Sequence, residues 1–348
     1  MVPYALVLSD ALRFVFIVTF YLTFFATSAY AEGAERTQNG KPITAGITAT
    51  RTTMEALSGA IGGGFSGGLN MFRMQLSKFD EMPERGMSAS AADSSWNVWS
   101  TPVFSTVNNQ IEPLLTEGSV SLILAGIEYT FDEFTVLGVS FTRDWARVNT
   151  IERAPFLPDR RSVVRGLGFT FAPYLAHQLS PDWLIDFSIG KGESELKSTQ
   201  TDLSIAYPKD VRSFASVGAT YLKPLARGAM FTGKLNASFA RDAIDDFVSV
   251  LPSGAATTVD GSNSILRQYK IGGQVSQQLG NFTPFFGAYG IVNGFTVTTD
   301  AQIKPREHSR VVQTVAGINA SSGPIYAALI LQRERDRNQA RIYIGVRY

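Results

Sequence analysis

The stretch Ala340-Arg341-Ile342-Tyr343-Ile344-Gly345-Val346-Arg347-Tyr348 places an apolar residue at every second position, counted back from Tyr348 through Val346, Ile344 and Ile342 to Ala340. Arg341 and Arg347 occupy the intervening positions. A period of two with cations on one side predicts a strand with one oily and one wet face. An exposed sheet edge is not tolerated in hydrocarbon, so strands cross membranes only as closed barrels. A final strand that ends on an aromatic suits barrel closure, with the ring at the membrane interface. The expected closing strand therefore carries Ile342, Ile344, Val346 and Tyr348 toward lipid, with Arg341 and Arg347 inward.

The N-terminus supplies an address. Arg13 precedes the apolar run Phe14–Phe25, and Ala29-Tyr30-Ala31 offers small residues where a signal peptidase reads. This predicts a secretory signal over 1–31, cut after Ala31. The run is shorter than the ~20 residues a spanning helix needs. Beyond it, no stretch has the length and apolarity of a transmembrane helix, so an exported chain of this kind stays soluble in the periplasm, leaves the cell, or enters the outer membrane as strands. There are no cysteines, which excludes disulfides and thiolate metal sites. The balance of 31 basic to 30 acidic residues offers no basic stripe for nucleic acid.

Residues 32–94 read as an N-terminal periplasmic or lumenal segment. Glu32 to Gly46 is polar and aperiodic and is expected to be irregular. Thr53 to Phe79 spaces Met54, Leu57, Ile61, Leu69, Phe72 and Leu76 mostly three or four apart, predicting one or two short amphipathic helices broken at Gly62-Gly63-Gly64 and Gly67-Gly68. From Ser95 onward twelve alternating segments follow, approximately 95–107, 118–131, 134–148, 160–173, 183–195, 211–223, 228–240, 264–279, 281–295, 309–320, 323–332 and 339–348. Tight connectors such as Asp132-Glu133 and Ser180-Pro181-Asp182 alternate with longer polar ones such as Leu196–Asp210 and Asp242–Asn263. Brief periplasmic turns opposed to longer outer loops are the mark of a membrane barrel. The expected fold is all-β: a transmembrane antiparallel barrel of twelve strands over 95–348, with a short helical or irregular N-terminal segment.

The alternation assigns faces. Ile123, Ala125, Ile127, Tyr129 and Phe131 are expected to face lipid, with Ser121 and Glu128 inward. Phe187 and Ile189 oppose Asp186 and Ser188, Leu235 and Phe239 oppose Lys234 and Asn236, and Tyr269 and Ile271 oppose Lys270 and Gln274. A Lys or Arg on the lipid face at mid-membrane costs about 2–4 kcal/mol, so Lys234 and Lys270 are expected to point inward. The expected lumen-facing set is Glu128, Asp186, Lys234, Lys270, Gln274, Arg341 and Arg347. The fourth and ninth segments do not sort. Tyr129, Phe131, Phe134, Tyr174, Trp183, Tyr221 and Phe282 gather near the short turns as an interfacial girdle would.

Catalytic chemistry finds little purchase. His177 lies beside a short turn and His308 in a long connector, and adjacent Glu307, His308 and Ser309 point to alternate faces of any strand. Asp242, Asp245 and Asp246 lack the spaced oxygen ligands and turn glycine of a calcium loop. Arg333-Glu334-Arg335-Asp336-Arg337 reads as a solvated hairpin tip, with arginines that could meet lipopolysaccharide phosphates. Neither an enzyme nor a cofactor or metal site is expected.

Several motifs carry a resemblance in their order over about 250 residues. Ser95-Trp96-Asn97-Val98-Trp99-Ser100, then Gly126–Trp145 with a Gly-x-acidic-Tyr strand turning into a Leu-Gly strand, then Ala172–Glu195 with Tyr174, Trp183, Asp186 and Gly190, resemble the β-domain of autotransporters, the type V secretion translocators. FTGKLNASFARDAIDDF and FTPFFGAYG fit its later strands. The resemblance implies twelve antiparallel strands with an N-terminal segment threading the pore. Family members normally carry a large, often repetitive passenger ahead of the barrel; only about 60 residues separate Ala31 from Ser95 here, without a repeat. The expected protein is thus an outer-membrane pore or export channel without a large passenger. The alternative is a plugged structural or surface-interaction barrel, and a hydrolase is the distant third. It is expected as a monomer, with outer-membrane lipids, lipopolysaccharide and the barrel-assembly machinery as partners.

Overall fold

The computed structural model describes residues 40–63, 96–109, 114–131, 134–154, 157–299, 302–303, 307–322 and 325–347. One helix, α1 (Gly40–Gly63), precedes twelve long strands: β1 (Trp96–Asn109), β2 (Leu114–Thr130), β3 (Thr135–Ala154), β4 (Leu157–Ser180), β5 (Trp183–Gln200), β6 (Lys209–Pro224), β7 (Ala229–Ile244), β8 (Ser262–Gln277), β9 (Phe282–Thr299), β10 (Glu307–Ser322), β11 (Ile325–Arg333) and β12 (Arg337–Arg347). Each pairs antiparallel with its sequence neighbour, and β12 pairs with β1 from Asn97↔Arg347 to Val107↔Arg337. The sheet is a closed twelve-stranded barrel. Closure leaves no long edge unpaired, the condition a membrane sets on strands. Short strands at 205–206, 247–250, 256–259 and 302–303 decorate the connectors.

The two ends differ. At one, no connector exceeds the four residues of 131–134, 225–228 and 278–281; at the other lie 201–208, 245–261 and 300–306. Strands run several residues past the expected limits toward the long connectors, above all in the β3–β4 hairpin, which remains paired to Ala154↔Leu157. β11 and β12 are the shortest staves, so the wall is high over β3–β5 and low over β11–β12.

Alternation sorts the faces. Ile123, Ile127, Phe141, Phe187, Ile189, Leu235, Ile271, Ile342 and Ile344 are exposed on the outer surface. Ser121 does not face the lumen: it shares the parity of Ile123 and sits on the outside, two residues nearer the long connectors. Tyr174 is not in the girdle either. Its ring is buried inside the barrel, whereas Phe131, Phe134, Trp183 and Phe282 are exposed at the turn end. In β4 the inward positions are small or singly polar (Gly166, Gly168, Thr170, Ala172), so the alternation is of size rather than polarity. In β9 Phe285, Tyr289 and Ile291 are buried, with Phe286 and Val292 exposed on the opposite parity, so both faces read as oily.

α1 lies inside the barrel and is buried on every side. It begins well before the expected Thr53 and takes in Gly40–Gly46, which the sequence had suggested to be irregular. It ends at the expected glycines; the rest of Thr53–Phe79 lies outside the described residues. A one-sided apolar stripe is the signature of a helix on a protein surface. Here Thr50, Thr52, Thr53, Glu55 and Ser58 are buried alongside Ala49, Met54, Ala56, Leu57 and Ile61. The surrounding wall is itself polar, which removes the stripe.

Candidate functional site: the lumen and its helix

The helix meets the wall in tiers. Nearest the long connectors, Ala45 packs with Val148, Val164, Leu196 and Ile244. Below it Arg212 of β6 donates from Nη1 to Asp144 of β3 at 3.0 and 2.9 Å and from Nε to Asp210 at 2.8 Å. The Thr50 hydroxyl of α1 donates to Asp242 of β7 at 3.0 Å. Gly46 makes this approach feasible, since a Cβ there would stand 2.8 Å from Asp210 Oδ2 and 3.1 Å from Asp242 Oδ2. Asp242 is therefore a buried wall residue, not part of an outer acidic loop; Asp245 and Asp246 remain exposed.

The central tier is an ion-pair network around Glu55. Arg51, one turn earlier, donates to Glu55 Oε1 at 2.8 Å and to Glu334 Oε2 at 2.8 Å. Arg337 pairs with Glu55 Oε2, and Gln268 donates to Oε1 at 3.0 Å. Gln313 joins Glu334 to Lys270, at 2.8 and 2.6 Å, and the Lys270 ammonium lies 4.4 Å from the Tyr289 ring centre. Arg341 donates to the main-chain carbonyl of Glu55 at 3.1 Å and to Gln332 and Gln339 at 2.6 and 2.8 Å. The 333–337 segment is thus a solvated tip only in part. Glu334 and Arg337 turn inward and are buried, while Arg333 and Arg335 stay exposed. Hairpin geometry imposes this, because successive residues face opposite ways and residues paired across the hairpin, such as Arg333 and Asn338, share a face.

Toward the turn end, Lys234 donates to the Ser58 carbonyl at 2.8 Å, and Asn236 to the Ser58 and Ser216 hydroxyls at 3.2 and 2.9 Å. Below this the wall supplies its own floor. Trp99 donates to the Tyr174 hydroxyl at 2.9 Å, and Tyr174 donates to Glu128 Oε1 at 2.8 Å. Asn97 donates to Glu128 Oε2 at 2.7 Å and accepts from Tyr326 at 2.8 Å, while Trp99 stacks on Tyr343 at 5.7 Å.

The anticipated lumen residues therefore occupy separate tiers. Glu128 lies in the floor, while Lys234, Lys270 and Arg341 lie on or near the helix. Gln274 accepts from the Tyr289 hydroxyl at 3.1 Å. Asp186 is buried against Gly218, close enough to Lys234 for the two charges to interact. Of the closing-strand set, Ile342 and Ile344 are exposed outside and Val346 is half-buried; the Arg347 side chain and Tyr348 lie outside the described residues. Sequence reasoning did not find Arg51, Glu55, Asp144, Asp210, Arg212, Glu334 or Arg337. Strand parity was a usable signal for Asp144 and Arg212, each flanked by outward residues. Nothing local marked the helix partners. His177 sits on β4 near the turn end with Thr135 Oγ1 3.0 Å from its Nδ1, and His308 lies on β10 rather than in a loop. Among the described residues no group of acidic residues and histidines has the arrangement of a metal site.

One cavity beside α1 among the described residues is small. A cavity of about 50 Å³ lies between Glu55, Ser58, Lys234, Gln268, Lys270, Tyr289 and Arg341. That volume admits a few waters, not a solute.

The fold is a closed twelve-stranded antiparallel barrel of the kind seen in solved autotransporter translocator domains. The fold is similar to the translocator domain of the autotransporter NalP from Neisseria meningitidis, with a TM-score of 0.57 at 12% identity, covering 87% of this chain and 98% of that one. It is also similar to the transport unit of the autotransporter AIDA-I from Escherichia coli, with a TM-score of 0.53 at 14% identity, covering 80% of this chain and 96% of that one. No protein-family model matches the sequence, and no curated protein matches it.

Proposed function

We propose that this chain is an export barrel of the outer membrane: it delivers the residues ahead of Gly40 to the cell surface, and α1 then remains as the seal. One observation carries the reading, the direction of the helix. The Ala45 end of α1 lies among the wall residues nearest the long connectors, and the Ser58 end contacts Lys234, near the turn end where β7 begins. In membrane barrels the long connectors face outward and the short turns face the periplasm. The chain ahead of α1 therefore emerges at the outer surface, while β1 starts at the periplasmic end. A free-running solute pore is the weaker reading, because the described part of α1 is buried against the barrel wall.

The test uses the full chain with an epitope inserted between residues 38 and 39. Antibody should label intact cells, and external protease should remove the epitope without degrading the barrel. An epitope reached only after the outer membrane is opened would overturn the export reading. In planar bilayers the purified barrel should be nearly silent, and a variant lacking residues 40–63 should conduct. Equal conductance of the two would mean that α1 is not the seal.

A further inference from the structure

On the outer surface of the low wall two rows of outward residues run across the strands, one above the other. The lower row joins Phe286 of β9, Ala316 of β10, Leu331 of β11, Ala340 of β12 and Phe104 of β1, each directly opposite the next. The upper row, nearer the long connectors, joins Thr314, Arg333, Asn338, Thr106 and Ser119 in the same way. Small side chains between two phenyl rings leave a hollow. A cavity of about 570 Å³ lies there, lined by both rows and open to the outside. Phe104, Phe286 and Leu331 are exposed along it. Four strand spacings, about 19 Å, separate the two rings along the row. The volume falls within the roughly 300–1,000 Å³ of small-molecule sites.

Polarity orders the hollow from top to bottom. Among the described residues of β10, β11, β12, β1 and β2, no outward side chain from the lower row down to the turn end is charged. Ile318, Leu329 and Ile342 follow directly beneath it. The upper row is polar throughout and holds one charge, Arg333, the last residue of β11. Arg333 is exposed, and among the described residues its guanidinium joins no ion pair or hydrogen bond. Of the carboxylates on these strands, Glu334 turns inward to Arg51 and Asp336 stands at the tip, 3.8 Å from Arg335. Glu117 is exposed on β2, three strands from Arg333. A cation on the lipid face is tolerated only near the interface, so the upper row marks that level and the lower row lies in hydrocarbon. One cation above one apolar trough is the complement of a single-chain amphiphile with one anionic head.

We propose that this hollow is a binding site for a long-chain fatty acid. Its carboxylate lies against Arg333, whose guanidinium offers paired N–H donors in the geometry a carboxylate accepts. The Asn338 amide and the Thr314 hydroxyl, directly opposite Arg333 on either side, supply uncharged donors to the remaining lone pairs. The alkyl chain runs over Leu331 and the two alanines, between the rings of Phe104 and Phe286. A multiply acylated, multiply phosphorylated glycolipid needs more troughs and more cations than the hollow provides. The site rests on the outer-membrane setting proposed above but not on export.

The test uses the purified full barrel in a short-chain neutral detergent, with hexadecanoate as probe and hexadecanol, the same chain without the charge, as comparison. Binding is read by native mass spectrometry, and its place by cross-linking with a photoreactive hexadecanoate. A boiling-dependent gel shift checks that each variant is a closed barrel. Arg333→Gln should bind hexadecanoate about tenfold more weakly, the scale of one lost charge-assisted hydrogen bond, and leave hexadecanol binding unchanged. Ala316→Trp/Ala340→Trp, which fills the trough, should weaken both. Arg241→Gln, on a different part of the outer face, should stay within about twofold of wild type. Cross-links should fall on β10, β11 and β12. Equal hexadecanoate binding by wild type and Arg333→Gln, equal binding of acid and alcohol by wild type, or cross-links elsewhere on the wall would each overturn the site. Displacement of hexadecanoate by equimolar lipopolysaccharide would overturn the choice of ligand. A barrel that presents its N-terminal epitope at the surface yet fails this test would lose only the fatty-acid site.

Discussion

The central tier of the lumen and its floor are both buried, polar and fully enclosed, but they are built on opposite terms. Around Glu55 the wall contributes the cations Arg337, Arg341 and Lys270 and the single carboxylate Glu334, and the helix contributes Glu55 and Arg51; without the helix the wall is left with an excess of cations and Arg337 without its carboxylate. In the floor, Trp99, Tyr174, Asn97, Tyr326 and Tyr343 come entirely from β1, β4, β11 and β12. Taking one partner from a buried ion pair leaves an uncompensated charge, which costs far more than an intact pair contributes. The difference teaches where the barrel depends on its helix. The floor can form as the strands close, whereas the central tier is complete only once α1 is seated.

The sharpest way to break this contrast is Glu55→Leu. It strands Arg337 and removes one of the two partners of Arg51, both inside the barrel. The expected cost is about 3–5 kcal/mol, the range for a buried pair that loses one member. In a urea titration of the barrel in lipid, α1 should be lost in a separate step ahead of the wall. A bilayer recording should then show conductance approaching that of the variant lacking 40–63. A single unchanged transition would mean that the helix is held by packing rather than by these pairs.

Gly59→Ala tests the same tier with less force. A Cβ at residue 59 would stand 2.0 Å from Nη1 of Arg341, which must then release the Glu55 carbonyl. Arg341 is a flexible side chain and keeps Gln332 and Gln339, so the loss should be about 1–3 kcal/mol, the usual scale of overpacking. Conductance should flicker rather than open fully. Arg341→Ala combined with Gly59→Ala should recover most of the steric part of the loss, and a double-mutant cycle measures it.

How much of this was legible follows from where the information lies. The barrel was readable because its outer faces alternate within each strand: Ile123 and Ile127, Phe187 and Ile189, Ile342 and Ile344 are local signals of period two. The inward placement of Lys234 and Lys270 follows from the same arithmetic plus the cost of charge in lipid. The helix was half legible, its end marked by Gly62 and Gly63, its start hidden. Inside a polar lumen a helix needs no apolar stripe, so Thr50, Glu55 and Ser58 interrupted the only pattern being sought. The ion pairs were illegible for a different reason. Arg51 and Glu334 are far apart in sequence, and only closure of the barrel around α1 brings them to 2.8 Å.

The smallest expected effect on the pore is that of a change in the floor, Tyr174→Phe. The substitution keeps the ring and removes a hydroxyl that accepts from Trp99 Nε1 and donates to Glu128 Oε1. Both partners stay buried, and Glu128 keeps the bond from Asn97. Losing one hydroxyl from a neutral and charge-assisted pair should cost about 1–3 kcal/mol. The diagnostic is its location. Because, among the described residues, no atom of α1 donates or accepts in the hydrogen bonds joining Trp99, Tyr174, Glu128, Asn97 and Tyr326, the loss should appear in unfolding of the wall and leave helix release and conductance at their wild-type values. If Tyr174→Phe opened the pore as Glu55→Leu does, the floor and the helix tier would be one cooperative unit, and the division drawn between them would not hold.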